Sequence, residues 1–308
     1  MPQRSILVAD DIINQTDSGK RRSQAIQNAA SFLARQLRTG IELLYVEDLK
    51  DYPFGNLGSF RFLEWHSSHQ ERLEEAGRRF TMPVSCSLKS GSPSEQILKT
   101  LLSRPSPELV VVGTQGRKGV KRLLIGSVAE EVIRHSKRPV MVLGPIAQET
   151  DRDISSQKQL KMLVPTDLGK NSRAAQQYAL SFAKRTGARV TLFHCLWDSI
   201  NTIIINNAYH WRAELNINKI VDKARGDALD SLRQMTNFFQ KHDVQCEYKI
   251  EEKEISRHAV FKECERGHSI VVMGTHGRNA LANAFFGSAA RETILNAMIP
   301  VIVVHSGR

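Results

Sequence analysis

Along the chain, short unbroken apolar runs alternate with longer stretches in which apolar residues return every three or four positions. The unbroken runs predict strands buried on both faces, and the stretches between them predict helices with one apolar stripe. The first run, "ILVADD" (residues 6–11), ends in an aspartate pair and leads into the amphipathic stretch "GKRRSQAIQNAASFLARQLRTG" (residues 19–40). A strand at "IELLYV" (41–46), a helix over Phe60–Arg79 and a strand at "VSCSLKSG" (84–91) follow. A short helix then reaches the strand "LVVVG" (109–113), a last helix opens at Gly126-Ser127, and "PVMVL" (139–143) is the fifth strand.

The second half repeats this order. "MLVPTD" (162–167) stands for the first strand, "NSRAAQQYALSFAKRTG" (171–187) for the first helix and "VTLFHC" (190–195) for the second strand. A helix over Asn218–His242, the strands "CEYKIEE" (246–252) and "SIVVMG" (269–274), the pair Gly287-Ser288 and the strand "PVIVV" (300–304) complete it. The two first helices are each expected to end at a glycine cap, Gly40 and Gly187. Strands that alternate with helices and are apolar throughout indicate a parallel sheet covered on both faces. The fold class is therefore α/β: two tandem doubly wound domains, Rossmann-like, each a five-stranded parallel sheet. The polar, aperiodic "GPIAQETDRDISSQKQL" (144–160) separates them, giving a domain over 1–147, a linker over 148–158 and a domain over 159–308.

Composition narrows the field. At 308 residues, 41% hydrophobic and 24% charged, the chain has material for a full core in each half. No apolar run is long enough to span a bilayer, and the start reads as a first strand, so no membrane partner is expected. Cys86, Cys195, Cys246 and Cys264 show neither a CxxC pair nor metal-ligand spacing, which suits free thiols in a reducing cytoplasm and no metal centre. The net charge of +11 suggests nucleic acid, but it divides evenly, +5 over residues 1–150 and +6 over 151–308. A solvated surface explains an even spread better than a nucleic-acid interface does.

In open α/β sheets the ligand crevice lies beyond the carboxyl ends of the strands. Gly113 and Gly116 occupy the loop after the fourth strand, where a missing Cβ lets backbone approach a ligand. Ser127 opens the last helix, whose free N–H groups suit a phosphate. Asp11, at the end of the first strand, is an acceptor for a ribose hydroxyl. These features together describe a nucleotide. Glycines at strand ends also make turns, and a serine at a helix start also caps it. The spacing argues for more, because nine residues separate Gly116 from Gly126 and nine separate Gly277 from Gly287 in otherwise diverged halves.

The pattern Gly-x2-Gly-x9-Gly-Ser, after an apolar strand and before "RPVMVL", resembles the ATP-binding signature of the universal stress protein family over nearly the whole chain. The resemblance implies a cytoplasmic stress-response protein that binds ATP, with or without Mg2+, and hydrolyses it slowly or not at all. It implies ribose contacts at Asp11 and Asp167 and adenine contacts at the backbone of Val46 and Cys195. Phosphates and ribose are expected at Gly113, Gly116, Gly126, Ser127 and Val128, and at Gly274, Gly277, Gly287, Ser288 and Ala289. The family's Gly-x-Pro after the third strand is kept as Gly91-Ser92-Pro93 but reads "IEEKEIS" in the second half, and its proline before the aspartate is Pro165 but Ala9 in the first. In single-domain relatives the last strand joins two subunits, so residues 139–143 and 300–304 are expected to pair as an intramolecular pseudo-dimer, with a further homodimer open.

No Walker A, GxSxG or HExxH sequence is present, and no catalytic residue is assigned. His276 has Gln115 as its counterpart, Trp65, Trp197 and Trp211 read as packing residues, and Asp10 and Asp11 point to opposite faces as strand neighbours do. Three classes stay open: a nucleotide-binding regulatory protein, an ATPase or adenylating enzyme, and a scaffold that senses another small molecule. Arg117, Lys118, Lys121 and Arg122, against Arg278 alone in the second half, lead to the expectation that the first site favours ATP over AMP more than the second.

Overall fold

The computed structural model describes residues 4–52, 59–114, 124–150, 159–201, 217–275 and 287–305. The chain forms two compact units, Met1–Ser155 and Ser156–Arg308.

In the first unit the strands are β1 (Ser5–Ala9), β2 (Gly40–Glu47), β3 (Val84–Ser90), β4 (Pro107–Gly113) and β5 (Val140–Leu143), in the order β3-β2-β1-β4-β5. All the pairings are parallel, with Ile6 beside Ile41 and Leu7 beside Val110. Ile6, Leu7, Val8, Val110 and Val111 have no exposed surface, as the continuous apolar runs require. The helices are α1 (Asp17–Leu37), α2 (Ser59–Gly77), α3 (Pro93–Ser103), α4 (Ser127–His135) and the short α5 (Pro145–Glu149). α1 contacts β1, β2, β4 and α5, and α3 packs on α4.

The second unit has β6 (Lys161–Pro165), β7 (Arg189–Cys195), β8 (Cys246–Glu251), β9 (Ile270–Gly274) and β10 (Val301–Val304), again parallel and ordered β8-β7-β6-β9-β10. Its helices include α6 (Arg173–Thr186), α7 (Ile217–Gln240), α8 (Ser256–Cys264) and α9 (Ser288–Asn296). The predicted α/β architecture of two five-stranded doubly wound sheets is the one observed.

Two local expectations are corrected. Gly187 does end α6 in the left-handed conformation, with φ 69°. Gly40 does not cap α1: Arg38 takes the left-handed turn at φ 50°, and Gly40 opens β2 with its N–H bonded to the Arg4 carbonyl. The backbone N–H of Arg38 answers the Ala34 and Arg35 carbonyls, which offsets the strain of a side chain at positive φ. The polar stretch after β5 is also not loop throughout, since α5 folds there with Pro145, Ala147 and Gln148 buried. Among the described residues no helix is long and apolar enough to cross a membrane.

Candidate functional site

In each unit the strand order reverses beside the first strand, between β1 and β4 or between β6 and β9, and the crevice of such a sheet lies at their carboxyl ends. What bounds it begins with the residue after the first strand. Asp10 is 5% exposed beneath α1, where its Oδ2 accepts from the Ser23 hydroxyl and from Gln27 Nε2 at 3.2 Å. Burial pushes its carboxyl above the usual range against these donors and Arg22. Its Oδ1 and Gln27 Oε1 are buried without a hydrogen-bond partner. In the second unit Thr166 holds the same place: Gln176 Nε2 donates to Thr166 Oγ1 and to Ser172 Oγ, each at 3.0 Å. Asp10/Ser23/Gln27 and Thr166/Ser172/Gln176 are one network in two copies. Asp10 belongs to that network and Asp11 does not, so the aspartate pair divides its work as strand neighbours should.

Asp11 instead meets Arg22, whose Nη2 is 3.4 Å from Asp11 Oδ2 and 3.4 Å from its carbonyl oxygen. The Arg22 side chain is 7% exposed and that of Asp11 23%. Asp167 differs. Its Oδ1 accepts from the Gly169 N–H at 2.8 Å, across a left-handed Leu168 at φ 60°, while its Oδ2 is buried without a partner.

The glycines have structural work to do. A Cβ on Gly113 would stand 2.8 Å from Ile26 Cδ1, 3.1 Å from Gln148 Nε2 and 3.6 Å from Arg22 Cδ, so protein side chains already use the room it leaves. Gly126 donates its N–H to the Thr114 carbonyl at 2.7 Å, and a Cβ there would lie 2.4 Å from that oxygen. Gly287 bonds Thr275 in the same way at 2.8 Å. The loop after the fourth strand is thus clamped at its base in both units. Gly126 and Gly287 are also the N-caps of α4 and α9, and neither offers a side-chain acceptor to the first-turn N–H groups. Ser127 and Ser288 are exposed there, with Val128 and Ala289 half-buried. Gly116, Gly277, Gln115, His276, Trp211 and the charged positions 117, 118, 121, 122 and 278 lie outside the described residues.

Val46, next to last in β2, and Cys195, last in β7, are 8% and 4% exposed, and Gly274 ends β9. Burial pushes the Cys195 thiol far up, reinforced by the Asp198, Glu251 and Glu254 carboxylates, which disfavours its thiolate. Next to it, His194 donates from Nδ1 to the Thr166 carbonyl at 2.9 Å, because that oxygen can only accept. Its Nε2 is left to accept from Ser199 Oγ at 3.2 Å.

Sequence reasoning missed a cluster beside Val46. Glu47 has no exposed surface, and its carboxylate takes His66 Nδ1, His69 Nδ1 and Ser90 Oγ, each at 2.9 Å. Trp65 packs on His69 with ring centroids 4.4 Å apart, and on Tyr52 and Phe62. Histidines three apart on α2, opposite a glutamate that interrupts an apolar strand end, were the available signal. Arg22 and Gln148 were missed as well. Among the described residues no group of three His, Cys, Asp or Glu is arranged to hold a metal ion.

The model of the universal stress protein family matches residues 3–144 and again 160–305. A putative universal stress protein of Staphylococcus haemolyticus is 28% identical over 145 residues, 46% of this chain and 84% of that protein. A universal stress protein of Mycolicibacterium smegmatis is 23% identical over 214 residues, 68% of this chain and 66% of that one. Among solved structures, a universal stress protein from Archaeoglobus fulgidus superposes over 100% of both chains with a TM-score of 0.70 at 19% identity. A putative universal stress protein from Pseudomonas aeruginosa does so over 98% of this chain and 93% of its own, with a TM-score of 0.56 at 15% identity. Two matches to one family model, on the two halves that repeat each other in sequence and in strand order, make this chain a tandem member of the universal stress protein family.

Proposed function

We propose that the protein binds an adenine nucleotide, ATP foremost, and acts as a regulatory protein of the cytoplasm that does not turn the nucleotide over rapidly. The observation that supports this reading best is Asp167 Oδ2, buried without a partner beyond the end of β6. A buried carboxylate oxygen without a donor costs about 1–3 kcal/mol, and a ribose hydroxyl in the crevice would remove that cost. The other residues present fit such a ligand. The Cys195 backbone ends the neighbouring strand, where the resemblance implies an adenine contact, and Ser288 with the first turn of α9, which has no side-chain cap, suits phosphate. Gly274 ends β9. Four free cysteines are in keeping with a reducing compartment.

Native mass spectrometry of the purified protein, followed by calorimetric titration with ATP, tests the reading. The expected result is bound adenine nucleotide that is lost in Asp167→Asn, a variant that keeps an acceptor for Gly169. Absence of ATP binding at millimolar concentration overturns it. Turnover above about one per second would favour the ATPase reading instead.

A further inference from the structure

The two crevices have diverged at one position of the first helix. Ser23 and Gln27 correspond to Ser172 and Gln176, each pair four residues apart and each holding the residue after the first strand. In that register Arg22 corresponds to Asn171. Arg22 reaches Asp11 with its guanidinium at 3.4 Å, and its Cδ lies 3.6 Å from where a Gly113 Cβ would stand. The side chain therefore bridges the ends of β1 and β4, the two strands at which the order reverses. Gln148 of α5 joins it, 6% exposed, with Nε2 3.1 Å from the same Gly113 point and 3.4 Å from Thr114 Oγ1.

A guanidinium is a permanent cation with five donors, so it answers the carboxylate that a ribose hydroxyl would need. Asparagine at 171 brings no charge to Asp167, whose Oδ2 stays without a partner.

Resting on the nucleotide reading above, we infer that the chain takes its nucleotide in the second unit, and that Arg22, with Gln148, fills the first crevice as an internal occupant that excludes one there.

Calorimetric titration of the full chain with ATP tests this, with circular dichroism to confirm that each variant is folded. The wild type is expected to bind one ATP, and Asp167→Asn to weaken that binding at least tenfold. Arg22→Asn, which installs the second unit's residue, is expected to add a second ATP. The double variant R22N/D167N is expected to bind one, now in the first unit. Where Arg22→Asn fails to fold, Arg22→Gln and the wild-type stoichiometry decide. Two ATP per wild-type chain overturns the inference and leaves the nucleotide reading standing. Weaker ATP binding in R22N also overturns it, since Arg22 would then be holding phosphate. No binding by the wild type overturns both.

Discussion

Asp10 is the residue with the clearest cost. Its counterpart is the neutral Thr166, yet Asp10 lies in the same hydroxyl–amide network with one oxygen unanswered. Burial raises its folded pKa above the reference of 3.8, so the folded state binds the proton more tightly than the unfolded chain does. Stability from this group is fully present below that reference and falls as pH rises through the folded value. Asp10→Asn cannot ionise and should be more stable above that window, by about 1–3 kcal/mol, with the difference vanishing toward pH 4. Urea unfolding of both proteins at pH 4 and pH 8 measures it, and equal pH slopes would remove the explanation. Glu47 is the opposite case, a buried carboxylate answered by three donors. Glu47→Ala removes the acceptor shared by His66, His69 and Ser90 and opens a space under α2; with His66 able to turn to water, the change should cost about 1–3 kcal/mol. A loss under about 1 kcal/mol in urea unfolding would show that the histidines find other partners.

Among the elements, the clamp between the fourth strand and the last helix explains a glycine that spacing alone pointed to phosphate. Gly126→Ala places a methyl 2.4 Å from the Thr114 carbonyl, so the bond that closes the loop must lengthen. A loss of about 1–3 kcal/mol is expected for overpacking of this kind. Gly226, exposed within α7 with nothing within 4 Å of a Cβ, is the control: Gly226→Ala should gain about 1 kcal/mol from helix propensity. Thermal unfolding of the two variants should move in opposite directions, and a neutral Gly126→Ala would return that glycine to a purely ligand-facing role. Strands and long helices were legible because continuous apolar runs and a 3.6-residue stripe are strong, redundant signals. α5 was not, because the five residues Pro145–Glu149 make too few turns to show a stripe, and proline reads as a break when it in fact stands at the first helical position.

For the molecule, the repeat was the most informative feature of the sequence. Two copies of the same order fix the α/β architecture without reference to any single element, and both crevices follow from it. The difference between the copies was harder to see. Arg22 is one of several arginines on a basic helix, and only the positions of Ser23 and Gln27 under the sheet set it against Asn171. Each unit has five parallel strands and a core of its own on about 150 residues, a size that can fold independently. Fragments 1–155 and 156–308 are therefore expected to unfold cooperatively when expressed alone, each with a single urea transition. A fragment without a transition would mean that its core is not self-sufficient.

The hydrogen bond from Gly126 to Thr114, and its twin from Gly287 to Thr275, has a consequence for how such a chain diverges. Each is a buckle that joins the two ends of a stretch of the same length, eleven residues in both units, so the scaffold sets the span whatever sequence lies between. A mutation at the buckle is tested by the fold at once, since a single methyl on Gly126 meets the Thr114 carbonyl. A repeated unit built this way keeps the length of that stretch fixed in both copies while the sequences between the buckles differ, "RKGVKRLLI" in one and "RNALANAFF" in the other.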